Sequence, residues 1–585
     1  MTRRLLSLLL LYALRLSLLP SLTVDQTSQI DCPASDRRYV SDVWCPDNGD
    51  GTYTNPVLYA DYSDPDVCAV GEDYYLTASS FNCVPGLPIL HSKDLVNWEI
   101  IGHALSKLEP AELFDQPQHG KGVWAPSIRH HDGAFYIYWG DPDHGIFMVR
   151  ATDPAGEWES PVCVIPGKGM IDPCPLWDDD GHCYLVHAWA ASRVGFNSVL
   201  TVRELSADGT RTIGQPRIVF DGGQENHTAE GPKFYKRDGW YWIMCPAGGV
   251  EKGWQLAMRS RSPYGPYEWK RVMEQGKTNI NGPHQGGWVH TAFDEDWFLH
   301  FNDKGAYGRV VYLQPVDWSS GWPMMGRLTP NPALNREGSN YIGEPVATFR
   351  KPQTTKRPTP QTTNPQESDE FNGGIIGKQW QWHANYNPLY GMPTADGTMR
   401  LYTWSLIVPA TPLPNGRGQG VGLWNAPNLL LQKPTAPRFT ATAKVRFAAK
   451  EEGQYGGLIM MGRDYSALVI CREGESFQLQ RHTCIGADDG KAEQVTTLVT
   501  LKPTERDTIP YAPAIHLDLY LRLTVKDGAC TFAYSTDGKR FREAGDSFTM
   551  KEGKWIGAKF GFVAEQNSRQ ARRGWLDVDW IHITK

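Results

Sequence analysis

Short aromatic-rich runs, each introduced by an acidic or glycine-containing turn, recur five times in the first half of the chain. The runs are GEDYYLTASS, HDGAFYIYWG, DDGHCYLVHA, RDGWYWIMCP and DEDWFLHFND, and their aligned aromatic residues are Tyr75, Tyr136, Tyr184, Trp242 and Phe298. A tight turn followed by such a run is typical of the second strand of a β-hairpin. Five copies spaced 48 to 61 residues apart predict a five-bladed β-propeller with one small sheet per repeat. A β-sandwich with coincidental turns is the alternative.

Alternating apolar and polar positions continue in the second half of the chain. They lie in the segments 439–447, 456–463, 467–473, 520–528 and 575–583. This regular strand spacing, with few helix signals, predicts an antiparallel β-sandwich. The fold class is therefore all-β, a five-bladed β-propeller followed by a C-terminal antiparallel β-sandwich. The predicted bounds are the propeller at 55–349, a Pro/Thr/Gln linker at 350–367 and the sandwich at 368–585.

The chain is rich in aromatic residues, with 22 Trp and 25 Tyr. Flat aromatic faces are common where sugars bind, but aromatic side chains more often fill cores. For Trp380, Trp382 and Trp424 in the second half, we therefore favour packing in the core or between domains over polysaccharide binding.

The N-terminal residues predict an extracellular location. Residues 1–22, MTRRLLSLLLLYALRLSLLPSL, place two arginines before a short apolar stretch, which is typical of a secretory signal peptide. Residues 23–54 then form an N-terminal extension, and the mature protein is expected to be secreted and extracellular. An interfacial anchor is the alternative for 1–22. No later segment reaches about 18 uninterrupted apolar residues, so no membrane partner is expected.

Composition narrows the classes of partner. Lys and Arg total 58 against 65 Asp and Glu, a formal charge of −7 with no long basic run. Nucleic-acid binding rests on clustered basic residues, so no nucleic-acid partner is expected. The 11 Cys form no zinc-type pattern. Cys32–Cys45 and Cys471–Cys484 are close enough in sequence to consider as disulfides, but the pairing stays open.

Polar residues lie just before the repeated turns, on what would be the first strand of each hairpin. They are found in YSDPDV, WAPSIR, MIDPCP, AEGPKF and GPHQGGWV, and those at comparable positions are Asp64, Ser127, Asp172, Glu230 and His284. The innermost strands of a propeller run side by side around its axis, so corresponding ends converge. Three carboxylates, a hydroxyl and an imidazole gathered there would be costly unless they were solvated or used. This ring is the predicted functional site.

These motifs resemble a known family. NPVLYADYSDPDV, GVWAP, MIDP, AEGP and GAYGRVVYLQPVDW, in this order, resemble glycoside hydrolase family 43 over residues 55–345, and the later part resembles the appended β-sandwich of that family. The resemblance implies a five-bladed propeller that hydrolyses glycosides, chiefly β-xylosides and α-L-arabinofuranosides, with inversion at the anomeric carbon. It also implies that a sandwich loop covers the propeller pit in relatives, although the sequence does not locate that loop here.

The resemblance also implies roles for single residues. The general base falls on Asp64, the general acid on Glu230, and the residue that modulates the pKa of the acid on Asp172. Arg309 matches an arginine that holds sugar hydroxyls. The other substrate-binding candidates are Trp124 as a pocket wall, Phe81, and His284, which in some members neighbours a calcium ion or a water cluster. No cofactor is implied as required, and a structural Ca²⁺ near His284 is left open with no metal ligands assigned.

Two departures from the family pattern affect the predicted sugar. Many relatives have an Asp where this chain has Ser127, which weakens any subsite assignment but not the predicted activity. The aromatic residue that often follows Phe81 is Asn82 here, which favours α-L-arabinofuranose slightly over β-D-xylose. The predicted function is a secreted inverting glycosidase releasing either pentose from arabinoxylan, xylan or derived oligosaccharides. The alternatives are a non-catalytic glycan-binding propeller and a retaining fructan hydrolase.

The chemistry explains why such a site needs three carboxyl groups. Inversion requires an acid and a base about 6.5–9.5 Å apart, so that a water molecule fits between the base and the sugar. Glu230 should have a raised pKa, and like-charge repulsion from Asp172 would raise it, whereas Asp64 must stay ionised. The single glycosylation sequon begins at Asn226, beside the acid. Asn226 is therefore predicted to be unmodified or to point away from the pit.

Overall fold

Five blades, each with four antiparallel strands, form the first part of the computed structural model. The model describes residues 41, 43–330, 341–355, 365–405, 422–507, 514–567 and 572–585. The predicted signal peptide and residues 356–364 of the predicted linker lie outside the described residues. Of the described helices, none is long and apolar enough to cross a membrane.

The sheets follow one another along the chain as blades. After β1 (Thr52–Thr54), blade 1 contains β2 (Asp66–Val70), β3 (Asp73–Thr77), β4 (Gly86–Ser92) and β5 (Trp98–Leu105). Blade 2 contains β6 (Trp124–His131), β7 (Ala134–Asp141), β8 (Gly145–Ala151) and β9 (Val162–Pro166). Blade 3 contains β10 (Met170–Trp177), β11 (Cys183–Trp189), β12 (Val199–Leu205) and β13 (Arg217–Asp221).

The last two blades complete the propeller. Blade 4 contains β14 (Lys233–Arg237), β15 (Trp240–Ala247), β16 (Trp254–Ser260) and β17 (Glu268–Glu274). Blade 5 contains β18 (His284–His290), β19 (Asp296–Asp303), β20 (Arg309–Asp317) and β21 (Met324–Met325). The sheet of blade 4 is extended by β22 (Arg327–Pro330) and β23 (Tyr341–Glu344), and β24 (Thr348–Arg350) pairs with β1.

The predicted five-bladed propeller is confirmed, and the repeat lies where the turns placed it. The five aligned aromatic residues fall on the second strand of each blade, namely β3, β7, β11, β15 and β19. These second strands are more continuously buried than a half-exposed strand. In β7, for example, all eight residues are buried, because both faces of a blade pack against its neighbours. Short helices lie in the loops: α1 (Ala111–Phe114), α2 (Ala191–Val194) and a 3₁₀ turn at Gly305–Tyr307.

The second part is the predicted antiparallel β-sandwich. One sheet is formed by β25 (Gln381–Trp382), β28 (Trp404–Ser405), β29 (Leu430–Gln432), β31 (Tyr455–Met461), β32 (Tyr465–Glu473), β33 (Ser476–Cys484), β34 (Gln494–Leu501) and β40 (Lys559–Gln566). The other is formed by β26 (Gly391–Pro393), β27 (Met399–Tyr402), β30 (Arg438–Ala449), β35 (Glu505–Arg506), β36 (Ile515–Lys526), β37 (Ala529–Ser535), β38 (Arg542–Glu543), β39 (Phe548–Thr549) and β41 (Trp575–Thr584). Three 3₁₀ turns lie at Asn372–Gly374, Leu423–Asn425 and Ala487–Asp489.

The sandwich core lies between the two sheets, as the alternating sequence pattern requires. Phe439, Ala441 and Ala443 on β30 are buried in it, and so are Leu519 and Leu521 on β36. Each of the five segments predicted as strands overlaps a strand of the sandwich.

The three tryptophans singled out in the second half have a packing role. Trp380, Trp382 and Trp424 are all buried, so none presents a free face to a polysaccharide. Trp382 exchanges backbone hydrogen bonds with Val84 of the propeller, and Trp424 stacks on His119 at a centroid distance of 3.5 Å. Trp380 packs in the sandwich core, and Trp382 and Trp424 contact the propeller, so the three tryptophans pack in the core or between the two parts of the chain.

The cysteines of the described residues are free thiols. Cys471 lies opposite Gln478, whereas Cys484 lies opposite Tyr465, six residues away along the same ladder. At about 3.4 Å per residue, the two thiols are far beyond the reach of a disulfide. The pairing of Cys471 with Cys484 considered from sequence is therefore wrong. The partner considered for Cys45, Cys32, lies outside the described residues.

Candidate active site

The same backbone irregularity opens the innermost strand of every blade. One residue per blade has a left-handed φ, and the five are Asp64 (54°), Ala125 (34°), Asp172 (57°), Gly231 (60°) and Gln285 (33°). A proline follows the first four of them. In blades 2, 3 and 5 the pairing with the second strand shifts register at this point. We call these residues the bulge positions. A β-bulge turns a side chain out of its usual alternation, and bulges cluster next to active sites.

The bulges change the predicted ring. Asp64 and Asp172 occupy the bulge position itself, whereas Glu230 and His284 each lie one residue before it, and Ser127 lies two residues after it. The sequence alignment had treated the five as equivalent, which is wrong for Ser127. Its side chain is fully buried and donates to the carbonyl of Pro173, 2.7 Å away, so it joins two blades instead of facing a ligand.

Asp64 is held by two donors. Its Oδ2 accepts from the hydroxyl of Ser79 at 2.7 Å, and its Oδ1 accepts from Nη1 of Arg309 at 2.9 Å. Ser79 in turn accepts from the backbone N–H of Ala125 at 2.7 Å, so the bulge of blade 2 supports the carboxylate of blade 1. The buried carboxylate is thereby oriented and faces a compensating cation.

Asp172 has a different environment. Its Oδ2 accepts from the backbone N–H of Gly231 at 2.7 Å, and Nε2 of Gln285 lies 3.5 Å from the same oxygen. Burial raises the pKa of Asp172 to about 7, and the charge of Asp64 adds to the rise. The Gly231 N–H and the cations Lys233 and Arg309 act in the opposite direction. Near neutral pH this carboxyl is therefore only partly ionised.

Glu230 pairs with His284. His284 Nε2 lies 3.1 Å from Glu230 Oε1, and the Glu230 side chain keeps 26% of its surface exposed, enough to meet a ligand. Desolvation in the pit, together with the charges of Asp172 and Asp64, raises the pKa of Glu230 to about 8. Burial lowers the pKa of His284 to about 3, so the imidazole is neutral. A tautomer that donates from Nε2 to Oε1 leaves Oε2 of Glu230 free to carry the proton.

Arg309 links the three carboxyl groups. It begins β20, contacts Asp64 directly, and lowers the pKa of both Asp172 and Glu230. Its guanidinium lies 4.8 Å from the ring centroid of Phe301, which holds it from the opposite side. Asp64, Asp172, Glu230, His284 and Arg309 are thus brought into one electrostatically connected group.

Aromatic residues form one wall of the pit. Trp124 meets Phe81 edge to face at 6.2 Å, and Phe81 itself is almost fully buried, so Trp124 presents the larger surface. Trp555, from the sandwich, meets Trp124 at 6.2 Å and is 54% exposed. A cavity of about 590 Å³ lies between Arg309 and sandwich residues 552–556. The sandwich therefore contributes to the pit through residues 552–556, a segment that no signal in the sequence located.

Four further residues at the site were not singled out from sequence. Ser79 and Gln285 support the carboxylates, and Lys233, fully buried, donates from Nζ to the carbonyl of Pro126 at 3.0 Å across the axis. A lysine three residues after Glu230, at the start of a predicted innermost strand, was a signal that could have been used. Ser79 and Trp555 carried no such signal, because an ordinary strand end and a distant loop bring them in.

The position of Asn82 removes the sequence argument about the sugar. Asn82 is buried, and its Nδ2 donates to the carbonyl of His383 in the sandwich at 2.9 Å. The residue after Phe81 therefore faces the contact between the propeller and the sandwich. Its identity says nothing about a xylose-shaped pocket, and the slight preference for arabinofuranose loses its basis.

Two other sequence predictions concern groups beside the acid. Asn226 is buried, and its Oδ1 accepts from the indole of Trp254 at 3.1 Å, so its amide faces inward. The described residues contain no group of three or more His, Cys, Asp or Glu that could hold a metal ion. Calcium requires six to eight oxygen ligands, and His284 has the cation Arg309 as a neighbour. The donor set around His284 does not fit a calcium ion.

Taken together, the site can carry out acid–base chemistry at an ether-type oxygen. Asp64 is placed to take a proton from water, and Glu230 keeps a proton at neutral pH for a departing group. Two carboxyl groups held in such different environments are typical of hydrolytic acid–base pairs.

Comparisons with known proteins agree with this chemistry. A family model described as glycosyl hydrolases family 43 matches residues 53–323, and one described as the β-xylosidase C-terminal concanavalin A-like domain matches residues 368–584. The chain is 35% identical over 518 residues to a candidate β-xylosidase of Xylanibacter ruminicola, covering 88% of this chain and 86% of the relative.

Two more matches extend the picture. The chain is 30% identical over 463 residues to a non-reducing end α-L-arabinofuranosidase of Bacteroides ovatus, covering 74% of this chain and 78% of the relative. The crystal structure of a xylan β-1,4-xylosidase from Bacillus halodurans C-125 superposes with a TM-score of 0.74 at 21% identity, covering 91% of this chain and 100% of that one. This last likeness shows the fold.

Proposed function

Because the chain belongs to family 43 of the glycosyl hydrolases and is thus a glycosidase, we propose that it releases single pentose units from xylan- or arabinoxylan-type chains by inverting hydrolysis. The observation that carries the proposal is the contrast between two carboxyl groups in one pit. Asp64 is paired with Arg309 and Ser79, whereas Glu230 has a pKa raised to about 8. An inverting glycosidase needs this division between a base and an acid.

In the proposed reaction, Asp64 accepts a proton from a water molecule as that water attacks the anomeric carbon. Glu230 gives its proton to the glycosidic oxygen as the bond to the leaving group breaks. Asp172 keeps the pKa of Glu230 high through its charge, and His284 orients the acid through Oε1. A direct water attack inverts the anomeric carbon, and no covalent sugar–enzyme intermediate forms.

For the sugar, we propose β-D-xylose first. The sandwich matches a model named for β-xylosidases, and the more similar of the two relatives described above is a candidate β-xylosidase. α-L-Arabinofuranose is the second candidate, supported by the likeness to the arabinofuranosidase of Bacteroides ovatus. The two sugars present comparable hydroxyl groups to Arg309, so the fit against Trp124 and Trp555 decides between them.

We also propose that the pit accepts chain ends or single side branches. Trp555 extends the wall begun by Trp124, and residues 552–556 close one side of the cavity beside Arg309. A pit closed on one side holds a terminal sugar and has no exit for a continuing chain. Secretion through residues 1–22 remains a proposal from sequence, and the N-terminal sequence of protein recovered from the medium of the native host tests it.

The decisive experiment compares aryl β-D-xyloside and aryl α-L-arabinofuranoside with purified full-length protein. NMR of the first product formed identifies the anomer, and the inverted one is expected. Glu230→Gln should lose about 10²–10⁴-fold on xylo-oligosaccharides and far less on an aryl glycoside with a good leaving group. Retention of configuration, or no hydrolysis of any pentoside, contradicts the proposal.

The chain offers a matched control for the Glu230 variant. Glu204 forms a second Glu–His pair, with His182 at 2.7 Å, and its side chain is 23% exposed, close to the value for Glu230. It lies on β12, away from the pit. Glu204→Gln should therefore keep wild-type kinetics. An equal loss in both variants would mean that general destabilisation, and not acid catalysis, explains the Glu230 result.

A further inference from the structure

One buried carboxylate accepts backbone N–H groups from both parts of the molecule. Asp61 is 3% exposed; its Oδ1 accepts from the N–H of Arg309 at 2.8 Å, and its Oδ2 accepts from the N–H of Gly557 at 2.9 Å. Arg309 begins a propeller strand, and Gly557 belongs to the sandwich. Because both donors are backbone groups, the carboxylate fixes where the two chain segments run relative to each other.

Each of the two segments carries a part of the pit. Arg309 sends its guanidinium to Asp64. The segment 551–557, which we call the sandwich loop, carries Trp555 against Trp124. It also brings Lys554 so close to Gly120 that a Cβ there would lie 2.9 Å from the lysine side chain. Asp61 thus accepts hydrogen bonds from the backbone of Arg309, which pairs with Asp64, and from the backbone of the loop that carries the wall residue Trp555.

The backbones meet too closely for side chains. A Cβ at Gly308 would lie 2.4 Å from Oδ1 of Asp61, and a Cβ at Gly557 would lie 2.8 Å from the backbone N of Gly308. Ala558 donates to the carbonyl of Ala306 at 2.7 Å beside this contact. Glycine is therefore required at both positions, and the contact has a single close-packed geometry.

The buried carboxylate of Asp61 is stabilised only by groups in direct contact with it or close by. Burial raises its pKa, while the N–H groups of Arg309 and Gly557 and the cation of Lys433 act in the opposite direction. An isolated buried carboxylate would be costly. Moving the sandwich loop away removes the N–H donor of Oδ2, and moving the Arg309 segment leaves Oδ1 with only the Ser63 hydroxyl at 3.4 Å, so the two segments are coupled through Asp61.

We propose that Asp61 is a positioning residue that fixes the sandwich loop and the backbone of Arg309 as one unit. Through Asp61, the propeller and the sandwich jointly position Arg309, which pairs with the proposed base, and the aromatic wall of the pit. The catalytic consequence rests on the function proposed above, whereas the structural coupling does not.

Hydrogen–deuterium exchange of the full chain tests the coupling without any substrate. Asp61→Asn keeps the shape but offers an NH₂ group to one of the two N–H donors. Exchange should rise about fivefold or more in peptides covering both 305–311 and 551–558. The matched control is Asp369→Asn, a buried sandwich carboxylate that accepts from the backbone N–H groups of Phe371 and Gly377. Its effect should be confined to the peptides around 369–380. A rise in only one of the two Asp61 segments, or in neither, overturns the proposal.

Kinetics give the second readout. Asp61→Asn should lower kcat on an aryl pentoside about tenfold, through Arg309, and should also raise KM for oligosaccharides, through the loop. Asp369→Asn should move neither. If wild type hydrolyses no pentoside, the proposed function fails while the exchange result still decides the coupling.

A second variant covers the case in which Asp61→Asn does not fold. Gly557→Ala adds a Cβ that would lie 2.8 Å from the backbone N of Gly308, so it pushes the two segments apart while leaving Asp61 in place. It should raise exchange over both 551–558 and 305–311 and raise KM for oligosaccharides. Wild-type exchange over 551–558 in this variant would contradict the proposal.

Discussion

Blades 1 and 3 begin with the same local structure and end with different chemistry. Asp64 and Asp172 both occupy the bulge position, with φ of 54° and 57°, both precede a proline, and both are buried. Asp64 faces Arg309 and the hydroxyl of Ser79, whereas Asp172 faces the N–H of Gly231 and lies beside Glu230. The neighbours, and not the residue or its backbone, therefore distinguish the proposed base from the proposed modulator.

The other three blades show what the bulge does without a carboxylate. Ala125 and Gly231 use their N–H groups as donors, the first to Ser79 and the second to Asp172. Alternate blades thus supply acceptors and donors to each other around the axis. A left-handed φ costs about 1–3 kcal/mol for a non-glycine residue, which persists where the surroundings enforce it.

The largest expected effect comes from breaking blade 1. Asp64→Asn keeps a residue that tolerates a left-handed φ but cannot accept a proton from water. We expect kcat/KM to fall about 10³–10⁴-fold on both activated and unactivated pentosides. The control is Asp238→Asn, which also has φ of 54° but lies in an exposed turn between β14 and β15. Activity of Asp64→Asn within tenfold of wild type, measured side by side, contradicts the assignment of the base.

Changing blade 3 should shift the pH profile more than the rate. Asp172→Asn removes the negative charge that raises the pKa of Glu230. The acid should then lose its proton at lower pH, so the alkaline limb of kcat/KM should move below the value near 8 expected for wild type. The maximal rate should fall by about 10–10²-fold. An alkaline limb that stays in place or moves upward argues against the modulating role.

The raised pKa of Glu230 also affects stability. Below the ordinary glutamate pKa, the folded and unfolded chains are both protonated, so the site costs nothing. As the pH rises towards 8, the unfolded chain releases its proton first, and the folded state loses stability. Glu230→Gln removes this loss. Its Tm should exceed that of wild type by about 2–4 °C at pH 9 and match it at pH 5 by calorimetry. A larger gain at pH 5 than at pH 9 would have the wrong sign.

The smallest effect should come from the link between blades 1 and 2. Ser79→Ala removes one donor to Asp64 and leaves the N–H of Ala125 without its acceptor. Arg309 still holds the carboxylate, so kcat should fall only about fivefold to tenfold, with about 1 kcal/mol less stability in urea unfolding. Ser79→Thr, which restores the hydroxyl, should recover most of the activity. A loss as large as that of Asp64→Asn would mean that Ser79 contacts the reacting atoms directly.

The fold could be predicted from the sequence because turns and strand patterns are local signals. A turn followed by an aromatic run specifies a hairpin, and five copies specify five blades, which is why Tyr75 and Trp242 fall on corresponding strands. The carboxylates were found for the same reason, since Asp64, Asp172 and Glu230 lie 11, 12 and 12 residues before the aligned aromatic residues of their repeats. Ser127 was misplaced because the bulge position of blade 2 is Ala125, two residues earlier, whose side chain gives no polar signal in the sequence.

The amino-acid sequence by itself determined the two-part all-β architecture, the five repeats, and Asp64, Asp172 and Glu230 as members of one site. Only the tertiary structure decided the raised pKa values of Asp172 and Glu230 and the pairing of Asp64 with Arg309, because these depend on burial and on residues from different blades. It alone decided that Trp555 completes the wall and that Asn82 faces the sandwich. Such contacts join residues hundreds of positions apart, where packing brings the chain together and no local pattern records the neighbour.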